Sequence, residues 1–420
     1  MKKTIRRVAV WVAACCAAQA AFAQLTLEAC WHAARENYPL VKQFDLIERS
    51  REFTLANASK GYLPQLGISG KVSYQSDVTK MPFTIPGIEF GLDKDQYQAV
   101  VELNQTLWDG GAIRQRKKEA SVQADVQREQ LEVNLYALRE RVNQLYFGIL
   151  LLDAQLVQNG LLQEQLARNH AQVEACMEQG LATGADLDAV RVEQLNARQA
   201  EAELSVSRKA YLETLGLLTG QEYADGERLA RPADAERPSG ELRRPELSLY
   251  ASRRRHLDVQ EKTLDSRLMP RLSLFAQGAY GDPGLNMLKG GFEPYYVAGV
   301  RLSWNIGSLY TRKNDKQLLD AGRQDIHVQE TAFRLENRME AMGRRRAVER
   351  LDTLMKRDDE LIQLRVNIRR AAEAKVAEGE LTVTEMLREV TAENQARQAK
   401  ALHEIQRLQA LYDLKYLLND

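Results

Sequence analysis

Gly180-Leu181-Ala182-Thr183-Gly184-Ala185-Asp186 and Gly379-Glu380-Leu381-Thr382-Val383-Thr384-Glu385 stand 199 residues apart and follow one plan, Gly-x-x-Thr-x-x-acid. Just beyond them, Asn196-Ala197-Arg198-Gln199-Ala200 is matched by Gln395-Ala396-Arg397-Gln398-Ala399 at the same offset. Each stretch reads as a tight turn between two helices, with glycine ending the first and Asp186 or its counterpart able to cap the second. The chain therefore contains one unit twice, and its internal repeat governs every other reading.

Outward from each turn lies helix. Ala112 to Gln179 holds no proline and is dense in Glu, Gln, Arg, Leu and Ala, all strong helix formers. Within it Leu131, Leu135, Leu138, Val142, Leu145, Ile149, Leu152 and Leu156 step by four and three, the seam of a coiled coil. A run of roughly 68 residues at ~1.5 Å each is on the order of 100 Å long, so an elongated molecule is expected. The return helix runs to about Leu218. Asn314 to Glu378 and Glu385 to Leu418 repeat the plan, giving two helical hairpins, 112–218 and 314–418. Helices of this length need partners along them.

Upstream of each hairpin the period changes to two. Tyr97, Ala99, Val101, Leu103 and Leu107 alternate with Gln96, Gln98, Glu102, Asn104 and Thr106. In the second copy Tyr296, Ala298, Val300, Leu302 and Trp304 alternate with Tyr295, Gly299, Arg301, Ser303 and Asn305. Strands are expected at about 66–76, 96–108, 271–280 and 295–306. Each has about the ten residues that a tilted strand needs to cross a bilayer. Alternation alone suits a soluble sheet equally well. Aromatic residues at the strand ends and an export signal weigh toward the membrane.

That signal is the N-terminus. Lys2, Lys3, Arg6 and Arg7 precede a short apolar run, and Ala21-Phe22-Ala23 offers a cleavage site, so residues 1–23 read as a signal peptide. Val12-Ala13-Ala14-Cys15 is a rival lipoprotein box. Cleavage leaves 54 basic residues against 58 acidic, a formal charge of −4. Near balance argues against nucleic acid as a partner. Two cysteines remain, Cys30 and Cys176, expected to be buried and unpaired; five scattered histidines suggest no metal site. No nucleophile–base arrangement or phosphate loop is found, so neither an enzyme nor a cofactor is expected. The domain plan is a first repeat over 24–220, a Pro- and Gly-bearing connector over 221–244, and a second repeat over 245–420.

Four strands are too few to close a membrane barrel, which needs about eight. An open sheet in lipid leaves edge groups unpaired at several kcal/mol each. The expected fold is mainly α with a small β part. A homotrimer would close a 12-stranded barrel in membrane lipid, continued by an α-helical coiled-coil tunnel.

The chain resembles the TolC-type outer-membrane efflux protein family. The resemblance rests on Thr26-Leu27-Glu28 with Asn37-Tyr38-Pro39, Leu63-Pro64-Gln65-Leu66, Leu107-Trp108-Asp109-Gly110-Gly111, the two turns, and Leu218-Thr219-Gly220. It implies an outer-membrane channel-tunnel with its helices in the periplasm of a Gram-negative-type cell. Such a tunnel docks a periplasmic adaptor (a membrane fusion protein) bound to an inner-membrane transporter, and works as a passive export conduit. By position, Gly180, Leu181, Thr183, Gly184 and Asp186, with Gly379, Leu381, Thr382 and Glu385, would form the adaptor-docking tips. Arg369, Arg370 and Glu373 would stand at the periplasmic aperture, where the family places acidic residues; Glu373 fits that pattern and the two arginines depart from it. The competing reading is a non-conducting periplasmic coiled-coil scaffold or adaptor lipoprotein held by Cys15.

Overall fold

The computed structural model describes residues 25–78, 93–234, 240–287 and 289–419. Residues 1–23, read as a signal peptide, with Cys15 among them, and Pro82 and Pro86 of the first strand loop lie outside the described residues. In chain order the elements are α1 (Leu27–Asn37), α2 (Gln43–Ser59), β1 (Gln65–Tyr74), β2 (Asp95–Trp108), α3 (Ala112–Tyr136), α4 (Leu138–Glu178), α5 (Gly184–Thr219), α6 (Pro245–Arg267), β3 (Arg271–Asp282), β4 (Glu293–Ser303), α7 (Leu309–Ala377) and α8 (Val383–Leu418). They form two compact units. One comprises Gln43–Leu131 and Glu246–Thr331, the other residues up to Lys42, Glu132–Pro245 and Ala332–Asp420. Both repeats contribute to both units, so the chain is duplicated in sequence but divided by packing.

The first unit is built on one four-stranded antiparallel sheet in the order β1-β2-β3-β4. Register sorts its two faces. Leu66 pairs with Leu103, Ile68 with Val101 and Val72 with Tyr97. On the same face Leu103 pairs with Ala276 and Ala99 with Tyr280. Leu274 then pairs with Val300, Leu272 with Leu302 and Gly278 with Tyr296. The opposite face carries Ser69, Lys71, Gln98, Glu102, Asn104, Gln277, Ser273 and Arg301. The apolar face is also the open one: Ile68 is 79% and Tyr296 83% exposed. A soluble sheet with one wet face buries its apolar side instead. The aromatic turn after β2 is fixed by Asp109, which accepts from the Gly111 and Ile113 amides at 2.9 and 2.6 Å and so caps α3. Gly110, at φ +68°, has no room for a side chain, since a Cβ there would come within 2.3 Å of the Met269 Cβ. In the second copy the Trp304 indole donates to the Leu268 carbonyl at 2.9 Å.

The second unit is helical. Its main core collects Leu27, Cys30 and Ala34 of α1, Val142, Tyr146, Phe147 and Ile149 of α4, Leu212 and Leu215 of α5, and Ile405, Leu408 and Tyr412 of α8. Cys30 and Cys176 are both buried free thiols. The expected unbroken first helix is interrupted at Ala137, between α3 and α4. The interruption is mild: Ala137 stays in the right-handed helical region (φ −61°, ψ −19°), and its amide still reaches Val133. Tertiary contacts hold the spot. Tyr136 stacks on Tyr416 at 4.9 Å and donates its hydroxyl to the Tyr416 carbonyl, with Arg139 and Arg244 over the Tyr136 ring. The second long helix, α7, begins at Leu309, five residues before the position read from sequence, because the aromatic turn leads straight into it.

The connector is pinned at several points. Leu229 joins the main core, and Tyr146 donates to both the Leu25 and Ala230 carbonyls. Arg208 on α5 reaches Asp153 and the carbonyls of Asp225 and Glu227, each at 2.5 Å. Arg407 on α8 reaches Asp352 and Asp234, also at 2.5 Å. Arg208 and Arg407, like Asp153 and Asp352, are 199 residues apart. The repeat thus extends to a duplicated latch holding one strap against each hairpin.

Candidate functional site: the hairpin tips and the clamp above them

At the first tip α4 ends by a left-handed glycine, Gly180 at φ +75°, with the Leu181 amide returning to the Cys176 carbonyl at 2.9 Å. Thr183, not Asp186, is the N-cap of α5: its hydroxyl accepts from the Asp186 amide at 3.3 Å. Asp186 sits three positions on and accepts from the Thr183 amide at 2.9 Å, so the two residues form a capping box. Hydrogen bonds from the Thr183 side chain and backbone hold the Asp186 carboxyl below its ordinary range. The second tip repeats each part: Gly379 at φ +74°, the Glu380 amide on Lys375, and Thr382 with Glu385 as the box. The Glu385 carboxyl is lowered for the same reason.

Just above the tips lies one apolar cluster. It joins Leu166 and Val173 of α4, Leu187 and Val190 of α5, Ala372 and Val376 of α7, and Val383, Met386, Leu387 and Val390 of α8. The hairpins therefore pack together right to their ends. A Cβ on Gly379 would lie 3.4 Å from the Leu181 side chain, and Leu381 leans on the same cluster. With backbone groups satisfied by the boxes, what the first tip offers outward is apolar: Leu181 remains 48% exposed.

Above the tips stands a charged clamp. Arg369, its side chain only 11% exposed, lies between Glu373 and Glu393, at 2.6 Å from each. Arg397 reaches Glu393 at 2.8 Å, and Arg365 reaches Glu389 at 3.4 Å. Glu373 also ties the hairpins together: its carboxylate accepts from Gln165 at 2.7 Å and its carbonyl from Gln172 at 2.8 Å, both on α4. Burial, which opposes charge on Arg369, is outweighed by the hydrogen bonds to Glu393 and Glu373, so its guanidinium is held above its ordinary range. Burial would raise the Glu393 carboxyl, yet Arg369 and Arg397 hold it below.

Of the three residues expected at an aperture, Arg369 and Glu373 are thus engaged within the chain, and Arg370 alone is exposed. Sequence reasoning missed Glu393, Gln165 and Gln172, which come from two other helices. The signal for Glu393 was present in its spacing of four from Arg397, but nothing local pointed to Arg369.

Residues 31–221 match the outer membrane efflux protein family. No curated protein matches the sequence. Among solved structures the chain is similar to the outer-membrane channel OprN, at 13% identity over 93% of this chain and 89% of that one, TM-score 0.71. It is similar to the outer membrane protein VceC of Vibrio cholerae, at 13% identity over 93% and 95%, TM-score 0.68. It is likewise similar to the open state of the Neisseria gonorrhoeae outer membrane channel MtrE, at 14% identity over 93% and 88%, TM-score 0.66. At these identities the structures establish the fold, while the family match falls on the first repeat. Duplicated hairpins, an inside-out sheet and that match agree: the first repeat matches the outer membrane efflux protein family, and the chain as a whole has the fold of the TolC-like outer-membrane channels it is similar to.

Proposed function

We propose that three copies of this chain form an outer-membrane channel-tunnel, a passive export conduit whose helical tips receive a periplasmic adaptor carrying an inner-membrane pump. The observation that carries this reading is the sheet. Between the strand ends its charged side chains share one face, its apolar side chains are exposed on the other, and β1 and β4 each leave an edge without a partner among the described residues. In lipid such edges are untenable, and joining β1 of one copy to β4 of the next removes them. Three copies give twelve strands, enough to enclose water. A soluble scaffold would have no use for an apolar outer face.

Gly180, Leu181, Thr183, Gly184 and Asp186, with Gly379, Leu381, Thr382 and Glu385, form the docking tips, and Leu181 is the apolar contact. Arg370 faces the mouth. The Gln165 and Gln172 bonds to Glu373 hold the second hairpin against the first, and release of that hairpin opens the tunnel. Purified trimer is expected to conduct in planar bilayers and to fractionate with the outer membrane as a heat-sensitive oligomer. A folded trimer that never conducts under any variant overturns the conduit. Leu181→Asp is expected to leave trimer assembly intact while lowering cross-linking to a cognate adaptor by about tenfold, as loss of a buried apolar anchor does elsewhere.

A further inference from the structure

Every charged residue in the interior of the four strands lies on the polar face: Lys71 on β1, Glu102 on β2 and Arg301 on β4. Register fixes this, since Lys71 pairs with Gln98, Glu102 with Gln277, and Arg301 with Ser273. Glu102 and Arg301 meet across the intervening strand at 3.7 Å. The Arg301 guanidinium also sits 4.7 Å above the Phe275 ring. Phe275 is the one aromatic on the polar side of β3, and it lies flat there because its neighbour on β4 is Gly299: a Cβ at that position would come within 3.2 Å of the ring. The ring therefore supports Arg301 without projecting from the face. Beside this group the Gln98 amide donates to the Tyr295 hydroxyl. At the two ends of the same face stand Arg271 and Glu293, the latter paired with Lys289.

We propose that this face sets the ionic preference of the conduit, and that it favours anionic solutes over cations. The proposal rests on the barrel reading above, which turns the polar face toward the lumen. Between the strand ends each copy then contributes two cations and one anion, and symmetry repeats them as rings at fixed depths. Rings of like charge at close quarters select ions by sign. Glu102 offsets Arg301 and holds it over Phe275, which makes Glu102 the residue that tunes the preference; Phe275 and Gly299 are positioning residues. Cargo of matching chemistry is a carboxylate- or phosphate-bearing small molecule, or a neutral one, in preference to a cationic one.

The experiment uses the full-length trimer under a KCl gradient. Wild type is expected to favour chloride. Glu102→Gln frees Arg301 and raises the chloride-to-potassium permeability ratio by about twofold, whereas Arg301→Gln and Lys71→Gln lower it by about as much. Arg301→Lys, which keeps the charge, stays near wild type and controls for misassembly. A second measurement does not depend on the mouth being open: Ser69→Cys, on the same face, is expected to react faster with an anionic than a cationic thiosulfonate. That ratio should rise with Glu102→Gln and fall with Arg301→Gln. A cation-preferring wild type, or Glu102→Gln and Arg301→Gln variants that fail to shift the labelling ratio in opposite directions, overturns the proposal. Labelling that behaves as stated in a trimer that never conducts overturns the conduit reading and with it any role in ion passage, and leaves only the local field.

Discussion

Arg369 shows how one side chain can change role between sequence and structure. In sequence it is half of an arginine pair before a turn; in the fold it is buried between two glutamates. Removing one partner leaves the other charges under-compensated in a mostly buried site. Glu393→Gln is therefore expected to cost about 2–3 kcal/mol, seen as a lower thermal midpoint of the helical unit. Arg370→Gln, on an exposed side chain, should move that midpoint little. Asp413 is a second case. Burial pushes its carboxyl up to about 6, against the pull of Arg344 at 3.1 Å, while Glu140 and Glu340 add to the rise. A carboxyl whose folded pKa is raised favours folding when protonated, so its contribution is present at low pH and is lost as pH rises through about 6. Denaturation midpoints measured between pH 4 and 7 should fall with rising pH more steeply in wild type than in Asp413→Asn. Asp413 was not legible as special in sequence, and Arg369 was legible only as an aperture residue, because both depend on helices distant along the chain that surround them.

The elements were far more legible. Seam spacing located the long helices, glycine and Thr-x-x-acid located the tips, and alternation located the strands. Each of these is a local property of the backbone and its solvent. The mild interruption at Ala137 was not visible, since Ala is the best helix former and only the Tyr136–Tyr416 stack marks the site. The connector read as a Pro- and Gly-bearing link with little core of its own, yet it is latched by Arg208 and Arg407. Arg208→Met and Arg407→Met are each expected to destabilise the strap by about 1–3 kcal/mol, since each breaks charge-assisted hydrogen bonds. Limited proteolysis between Tyr223 and Asp234 checks this, and resistance equal to wild type would refute it. An offset of 199 linking two Arg–Asp pairs was present in the sequence all along, but only contact distances single it out from the many other Arg and Asp residues.

For the whole molecule the decisive question is which face of the sheet meets lipid. Ile68 and Ser69 are neighbours on β1 that point to opposite faces. Ile68→Arg is expected to reduce folding stability in lipid vesicles by about 2–4 kcal/mol, while Ser69→Arg is tolerated. Equal tolerance at both positions would mean that this sheet does not enter a membrane as proposed. The sequence by itself determined the duplication, the helix and strand periods, the tips, and the insufficiency of four strands, because all of these follow from the order and spacing of residues. Only the tertiary structure decided that the tips share one apolar cluster, that Arg369 is clamped within the chain, and that Glu102, Phe275 and Arg301 stand together on the polar face. Those groupings are set by strand register and helix packing between residues up to 208 positions apart, as in the Gln165–Glu373 bond, and no local periodicity encodes them.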